Sequence, residues 1–191
     1  ASAIVLAPGA DVFDVDKLDS LGHAFYPDVV TSLEYERILS ASGPTQGELI
    51  RPSNGKRPQR IAWIQCAGSR SLQQGAASYC SSACCMFALK EAIVTKERFQ
   101  DTIETSIFYM DMRTFGKDYE LYLNRAKNDY NIRLIRSRPH TVSHNQETGS
   151  LSIIYTPDNG SPNITEDFDM VVLSTGFQVS QDVQELAAKL E

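Results

Sequence analysis

All four cysteines of the chain fall between positions 66 and 85, and no other feature restricts the fold as much. They sit in Trp63-Ile-Gln-Cys-Ala-Gly-Ser-Arg70 and Tyr79-Cys-Ser-Ser-Ala-Cys-Cys-Met-Phe-Ala-Leu-Lys90, with the spacing C-x13-C-x3-C-C. Iron–sulfur clusters take four thiolates, and spacings of a few residues let a loop and a helix end wrap one cluster. Cys66, Cys80, Cys84 and Cys85 are therefore the candidate metal ligands. A helix from Tyr79 onward predicts Cys80 and Cys84 on one face, about 5–6 Å apart at Cβ. Cys85 then stands about 100° away around the same helix, and Cys66 enters from a strand end. A helix N-terminus also favours thiolates through its dipole and free N–H groups. Three other readings stay open at this point. The cysteines are buried small hydrophobes, a zinc site strained by the adjacent Cys84-Cys85, or a redox disulfide lacking a C-x-x-C.

A chain of 191 residues is long enough to bury a core in one domain or a domain with an extension. Its net charge of −6 leaves no basic face to neutralise phosphates, which excludes a nucleic-acid partner. No apolar run approaches the roughly 20 residues that span a bilayer, so no direct membrane insertion is expected. Clustered thiols without a secretory signal fit a reducing cytoplasm. The opening Ala1-Ser-Ala-Ile-Val-Leu-Ala-Pro-Gly9 starts inside an apolar run without Met, which reads as a fragment of a longer polypeptide.

Residues 3–6 read as a buried strand ended by Pro8-Gly9, and 11–28 as an ordered loop. Thr31 or Ser32 caps a short helix through Leu39, and 40–58 reads as an exposed linker. Strands follow at 60–65, 105–110 and 131–135, separated by helices from Tyr79 and over 117–130. Residues 151–156 and the stretch near Ile164 flank Pro157-Asp-Asn-Gly160 as an antiparallel hairpin. A buried strand over 169–174 ends in Thr175-Gly176, and the tail has helical spacing. This order predicts an α/β fold: a Rossmann-like, three-layer dinucleotide-binding domain with a parallel sheet plus an antiparallel hairpin. Ligands in such sheets sit at the C-terminal strand ends, where Cys66 falls.

The runs Ile64-Gln-Cys-Ala-Gly-Ser-Arg70 and Tyr79-Cys-Ser-Ser-Ala-Cys-Cys-Met86, with Ala88, Lys90 and Ala92, resemble the A subunit of heterodisulfide reductase. So do Ile107-Phe-Tyr-Met-Asp-Met-Arg113, Phe115-Gly116, Asn124-Arg125-Ala126 and Asp169-Met-Val-Val-Leu-Ser174. The related A subunit of the quinone-interacting membrane-bound oxidoreductase shares the pattern. The resemblance implies a thioredoxin-reductase-like flavoprotein that carries FAD and iron–sulfur clusters, with other subunits of an electron-transfer complex as partners. It implies a [4Fe–4S] cluster on the four cysteines, near the flavin. It implies that Lys90 matches a lysine aimed at the flavin ring, the candidate catalytic residue here, where a cation stabilises a reduced, anionic flavin. The division it suggests is 1–58 as a remnant of the FAD-domain edge and linker, and 59–191 as an NAD(P)-binding-like Rossmann domain. The implied role is electron relay between flavin and cluster, in a fragment expected to be inactive in isolation. The rivals are a zinc-stabilised or cofactor-free subunit-docking domain and an NAD(P)-binding reductase domain.

Several departures bear on this. A glycine-rich G-x-G-x-x-G is replaced by Gln65-Cys-Ala-Gly-Ser-Arg70, which accommodates a nicotinamide dinucleotide poorly. Asp111 stands where an acid holds a ribose. Leu6-Ala-Pro-Gly9 and Ser174-Thr-Gly176 resemble strand–turn crossings along FAD, making Gly9, Thr175 and Gly176 the candidate cofactor-binding residues. Arg133, Arg136 and Arg138 read as a solvated face, and His23, His140 and His144 as surface histidines.

Overall fold

Along Arg60–Ala67 the side chains alternate between two buried environments, so this strand has no solvent face. Ile61 and Trp63 pack with Tyr35, Leu89 and Ile93 on one side. Ala62 and Ile64 pack with Phe108, Leu151, Ile153 and Phe168 on the other. Near-continuous apolar runs of this kind mark strands of a parallel sheet covered on both faces.

The structure is a computed structural model that describes residues 3, 5–73, 75–99 and 102–190. In chain order its elements are β1 (Asp11–Val12), β2 (Val29–Thr31), α1 (Ser32–Leu39), β3 (Arg60–Ala67), α2 (Cys84–Phe99), β4 (Glu104–Tyr109) and α3 (Tyr119–Asn128). There follow β5 (Arg133–Arg136), β6 (Val142–Asn145), β7 (Ser150–Tyr155), β8 (Ile164–Phe168), β9 (Met170–Thr175), β10 (Phe177–Gln178) and α4 (Gln181–Leu190). The central sheet is five-stranded, ordered β2-β9-β3-β4-β5, and all its pairings are parallel. Helices α1, α2 and α3 cover one face, and the antiparallel sheet β6-β7-β8 covers the other. The fold is thus the three-layer α/β architecture expected.

Where the details differ, the reasons are local. The hairpin gains a third strand, β6, whose Val-Ser-His-Asn sequence carries one apolar residue and no strand signal of its own. Val5 is 92% and Leu6 53% exposed, and the described part of 3–10 forms no strand. An apolar run becomes a strand only when it has a partner to pair with, and Ile4 lies outside the described residues. Residues 40–58, expected to be exposed, place Leu49 fully buried in the core. Val29–Thr31 and α1 add a strand and a helix to the central sheet from the chain before Pro58. The helix after the cysteine loop begins at Cys84, five residues later than Tyr79. No helix among the described residues is long and apolar enough to cross a membrane.

Helix α1 starts on a capping box: Glu34 N–H donates to Thr31 Oγ1, and the Glu34 carboxylate accepts from Thr31 N–H. The lower end of the sheet is tied by a buried charge cluster. Arg51 donates to Asp28 through Nε at 3.0 Å and Nη2 at 2.7 Å, and Asp28 also accepts from Ser53 N and Oγ. Asp169 sits 3.5 Å from Arg51 and accepts from the backbone N–H groups of Gln59 and Arg60. This network joins the chain before β2, the 51–53 turn and the start of β9, fixing their register at one end.

Removing one partner of a buried pair leaves an uncompensated charge. Asp28→Ala is expected to lower unfolding stability by about 3–5 kcal/mol in urea titration. A loss under 1 kcal/mol would show that the cluster does not tie the sheet end.

Candidate functional site

The chain leaves β3 through a distorted end. Cys66 has φ of +60°, and the pairing of β3 with β9 slips register between Ile64 and Ala67. A non-glycine residue in the left-handed region costs on the order of 1–3 kcal/mol and persists only when its surroundings hold it. Here they do: Ser69 N–H donates to Cys66 C=O at 3.1 Å, and Gly68 packs so closely on Phe13 that a Cβ would stand 2.2 Å from its ring. The following loop folds back on itself through Ala77 N–H to Gly68 C=O and Arg70 N–H to Tyr79 C=O. Arg138, on the segment after β5, donates to the carbonyls of Ser69 at 3.2 Å and Arg70 at 3.0 Å.

Cys80 is not on the helix. Serines compete with helical hydrogen bonding, and Ser82 takes a left-handed φ of +61° while its N–H donates to Cys80 Sγ at 3.3 Å. The expected i, i+4 face shared by Cys80 and Cys84 is therefore replaced by a half-buried thiol in the approach to α2. Cys84 and Cys85 open α2 and are 2% and 4% exposed, as is Cys66 at 4%.

Cys66, Cys84 and Cys85 act on one another. Hydrogen bonding from Cys66 and then Cys85 pulls the Cys84 thiol far below its ordinary range, against the effect of burial. The same contact with Cys84, reinforced by burial, pushes Cys66 and Cys85 up. Cys80 acts on Cys85 through charge. The three thiols thus compete for one negative charge, and α2 has no acidic residue in its first turn to oppose it. Among the described residues, no group of three or more His, Cys, Asp or Glu is arranged to hold a single metal ion.

Thr175 and Gly176 border this cluster. Thr175 pairs with Ala67, and a Cβ on Gly176 would stand 2.5 Å from Ser69 Oγ and 3.1 Å from Ser81 Oγ. Only a glycine lets the end of β9 close against both sides of the cysteine loop. Phe177 then meets Phe87 of α2 edge-on, with ring centroids 6.2 Å apart. Gly9 is exposed, with nothing within 4 Å of where a Cβ would stand.

Lys90 lies half-exposed on α2, its ammonium paired with Glu36 of α1 and 5.3 Å above the Phe87 ring. It lines a cavity of about 650 Å³ with Met86, Phe87, Tyr119 and Tyr122. A second cavity, about 370 Å³, opens at Cys66 beside Leu21, Gln65 and Arg138. Asp111 is not free to hold a ribose, because Arg70 and Arg113 engage its carboxylate and keep its pKa below the usual range.

Sequence reasoning missed the residues that shape this site. Arg138 reads in the sequence as part of a solvated run, yet it braces the cysteine loop from another segment. Glu36 carries no signal, since its partner is 54 residues away. Arg133 pairs with Glu166 rather than facing solvent alone.

No family model matches the chain. The second iron–sulfur A subunit of the CoB–CoM heterodisulfide reductase of Methanopyrus kandleri is 44% identical over 176 residues, or 92% of this chain and 26% of that protein. The A subunit of the H2/formate:CoB–CoM heterodisulfide, ferredoxin reductase of Methanococcus maripaludis is 42% identical over 187 residues, 98% of this chain and 28% of that protein. The chain thus spans about a quarter of the length of the curated relatives it matches. The thioredoxin reductase of Lactococcus lactis superposes with a TM-score of 0.53 at 16% identity, over 93% of this chain and 46% of that one, a likeness of fold. Over nearly all of its length, the chain is homologous to one segment of the A subunits of the heterodisulfide reductase family.

Proposed function

We propose that this chain is the cluster-bearing segment of an FAD- and iron–sulfur-dependent oxidoreductase that relays electrons within a larger complex. The observation that carries this is the burial of Cys66, Cys84 and Cys85 together, with one favoured as thiolate, at the C-terminal edge of a parallel dinucleotide-type sheet. The names of the relatives support it, since the Methanopyrus protein is an iron–sulfur subunit.

Soft thiol donors at one buried point, with Cys80 at its rim, fit the chemistry of a [4Fe–4S] cluster. When bound, such a cluster supplies one-electron transfer, and FAD supplies the step between one- and two-electron chemistry. Cys66, Cys80, Cys84 and Cys85 would hold the cluster. The first turn of α2 would direct its free N–H groups toward the negative charge that thiolates bring. Gly9, Thr175 and Gly176 would border FAD, with most of its contacts supplied by polypeptide outside residues 1–191. Lys90, held by Glu36 beside the apolar cavity, would place a cation at the flavin ring.

In this reading residues 1–58 descend from the edge of the FAD domain and its linker, packed here onto the rest through β2, α1 and Leu49, and 59–191 descend from an NAD(P)-binding domain. The engagement of Asp111 by Arg70 and the missing glycines both weigh against a nicotinamide dinucleotide. Partners are other subunits of the complex, and the compartment is the reducing cytoplasm.

Anaerobic reconstitution with iron and sulfide is expected to give a broad absorption near about 400 nm, as iron–sulfur proteins generally do. Cys84→Ser should lose that absorption while circular dichroism stays native. Tight zinc without iron or sulfide, or unfolding on loss of metal, would favour a structural docking domain instead. In a longer protein that carries FAD, Lys90→Gln is expected to lower the flavin midpoint potential by about 30–60 mV; for a two-electron couple 30 mV is about 1.4 kcal/mol. An unchanged potential would place Lys90 away from the ring.

A further inference from the structure

Helix α2 also buries a carboxyl that neither the cluster nor the flavin reading uses. Glu91 has no exposed surface. Its Oε2 accepts from Trp63 Nε1 at 2.8 Å, while Oε1 makes no hydrogen bond of normal geometry, and the buried Ser32 hydroxyl of α1 acts only weakly on the carboxyl. A carboxylate with one oxygen buried and unpaired is strongly disfavoured, whereas a neutral acid tolerates the same surroundings.

Glu91 also lines a pocket of about 160 Å³ between α1 and α2. That volume is well above the roughly 10–15 Å³ needed for one water. Glu36 and Lys90 line the same pocket. The charged groups facing Glu91 are few. From α1 comes Glu36, whose negative charge opposes ionisation, and from α2 comes Lys90, whose positive charge favours it. Arg98 is committed to the carbonyls of Leu39 and Gly47, and the Tyr35 hydroxyl to Thr95 at 2.6 Å. β3 contributes only the Trp63 N–H.

We propose that Glu91 is a proton-binding site beside this pocket, and that its occupancy is set by the opposed charges of Glu36 and Lys90, which line the same pocket. The Glu36 carboxylate favours the protonated acid and the Lys90 ammonium favours the ionised one. On ionisation the Oε–H bond breaks, and the proton leaves to solvent by way of the adjoining pocket. One proton leaves per ionisation, and no electrons move. Burial is the main cause that pushes the Glu91 carboxyl up to about 8. The inference needs neither flavin nor cluster, so it stands or fails apart from the electron-transfer reading.

The test is infrared spectroscopy of the cofactor-free chain across pH, following the protonated-carboxyl C=O stretch. A band present at about pH 6, lost in Glu91→Gln, is expected. Glu36→Gln removes a negative neighbour and frees Lys90, so it should weaken Glu91 proton binding by about tenfold or more. Lys90→Gln should strengthen it. Both residues are partly exposed, so these variants assign the band by its opposite shifts even if Glu91→Gln fails to fold. Absence of a Glu91 band at that pH overturns the site, and a band that neither variant moves overturns the coupling. A stability readout has a defined sign. The folded pKa lies above the ordinary 4.5, so the wild type should lose stability relative to Glu91→Gln as pH rises from there through about 8.

Discussion

Strand β3 is the element on which the rest of the structure depends, because it alone pairs in parallel with both β9 and β4 while burying both of its faces. A strand in that position has every backbone group committed to its neighbours until its last residues. The slip between Ile64 and Ala67 ends that commitment, and the left-handed Cys66 turns the chain out of the sheet there. Its strain is held by contacts from distant parts of the sequence: Phe13 against Gly68, Gly176 against Ser69 and Ser81, and Arg138 on the carbonyls of Ser69 and Arg70. The position of one thiol is thus fixed by the N-terminal segment, the end of β9 and the segment after β5 together.

In a dinucleotide-binding domain this corner belongs to a glycine-rich phosphate loop, whose backbone must come close to a pyrophosphate. The present loop uses the same place differently. Its glycine at 68 admits the Phe13 ring instead of a ligand, and the loop beyond it closes over its own carbonyls. The space left open lies to either side, at Cys66 and beside Lys90. A site of this construction favours a group anchored by side chains over one cradled by backbone amides.

Much of this is legible in the sequence because the central strands are apolar throughout and the helices are periodic. Residues 60–65, 105–110 and 169–174 announce a covered parallel sheet by composition alone. What is not legible depends on long-range partners. The start of α2 is misplaced from the sequence because Cys80, Cys84 and Ala88 match a helical stripe, while the Ser81-Ser82 pair that breaks it acts through a single backbone conformation. β6 has no signal without β7 to pair with. Residues 3–6 have the signal but no partner among the described residues. The roles of Arg138 and Glu36 arise only when segments 54–69 residues apart meet.

The charge plan of α2 brings the two polar features of this helix into one account. Its first turn holds Cys84 and Cys85 with no acidic residue, and its last turn holds Lys96 and Arg98, so both ends suit the helix dipole. The N-terminus thus carries no acidic side chain to oppose negative charge on the sulfurs, in a chain whose overall charge is −6. Between these ends, Lys90 and Glu91 occupy adjacent positions with opposite fates: one reaches out to Glu36, the other points into the core at Trp63. Trp63 lies three residues before Cys66 on β3, so the strand that delivers a thiol to one end of α2 also receives the buried carboxyl from its middle. A shift of α2 along β3 would disturb both at once, because the Trp63–Glu91 bond and the Cys66–Cys84 contact join the same strand to the same helix.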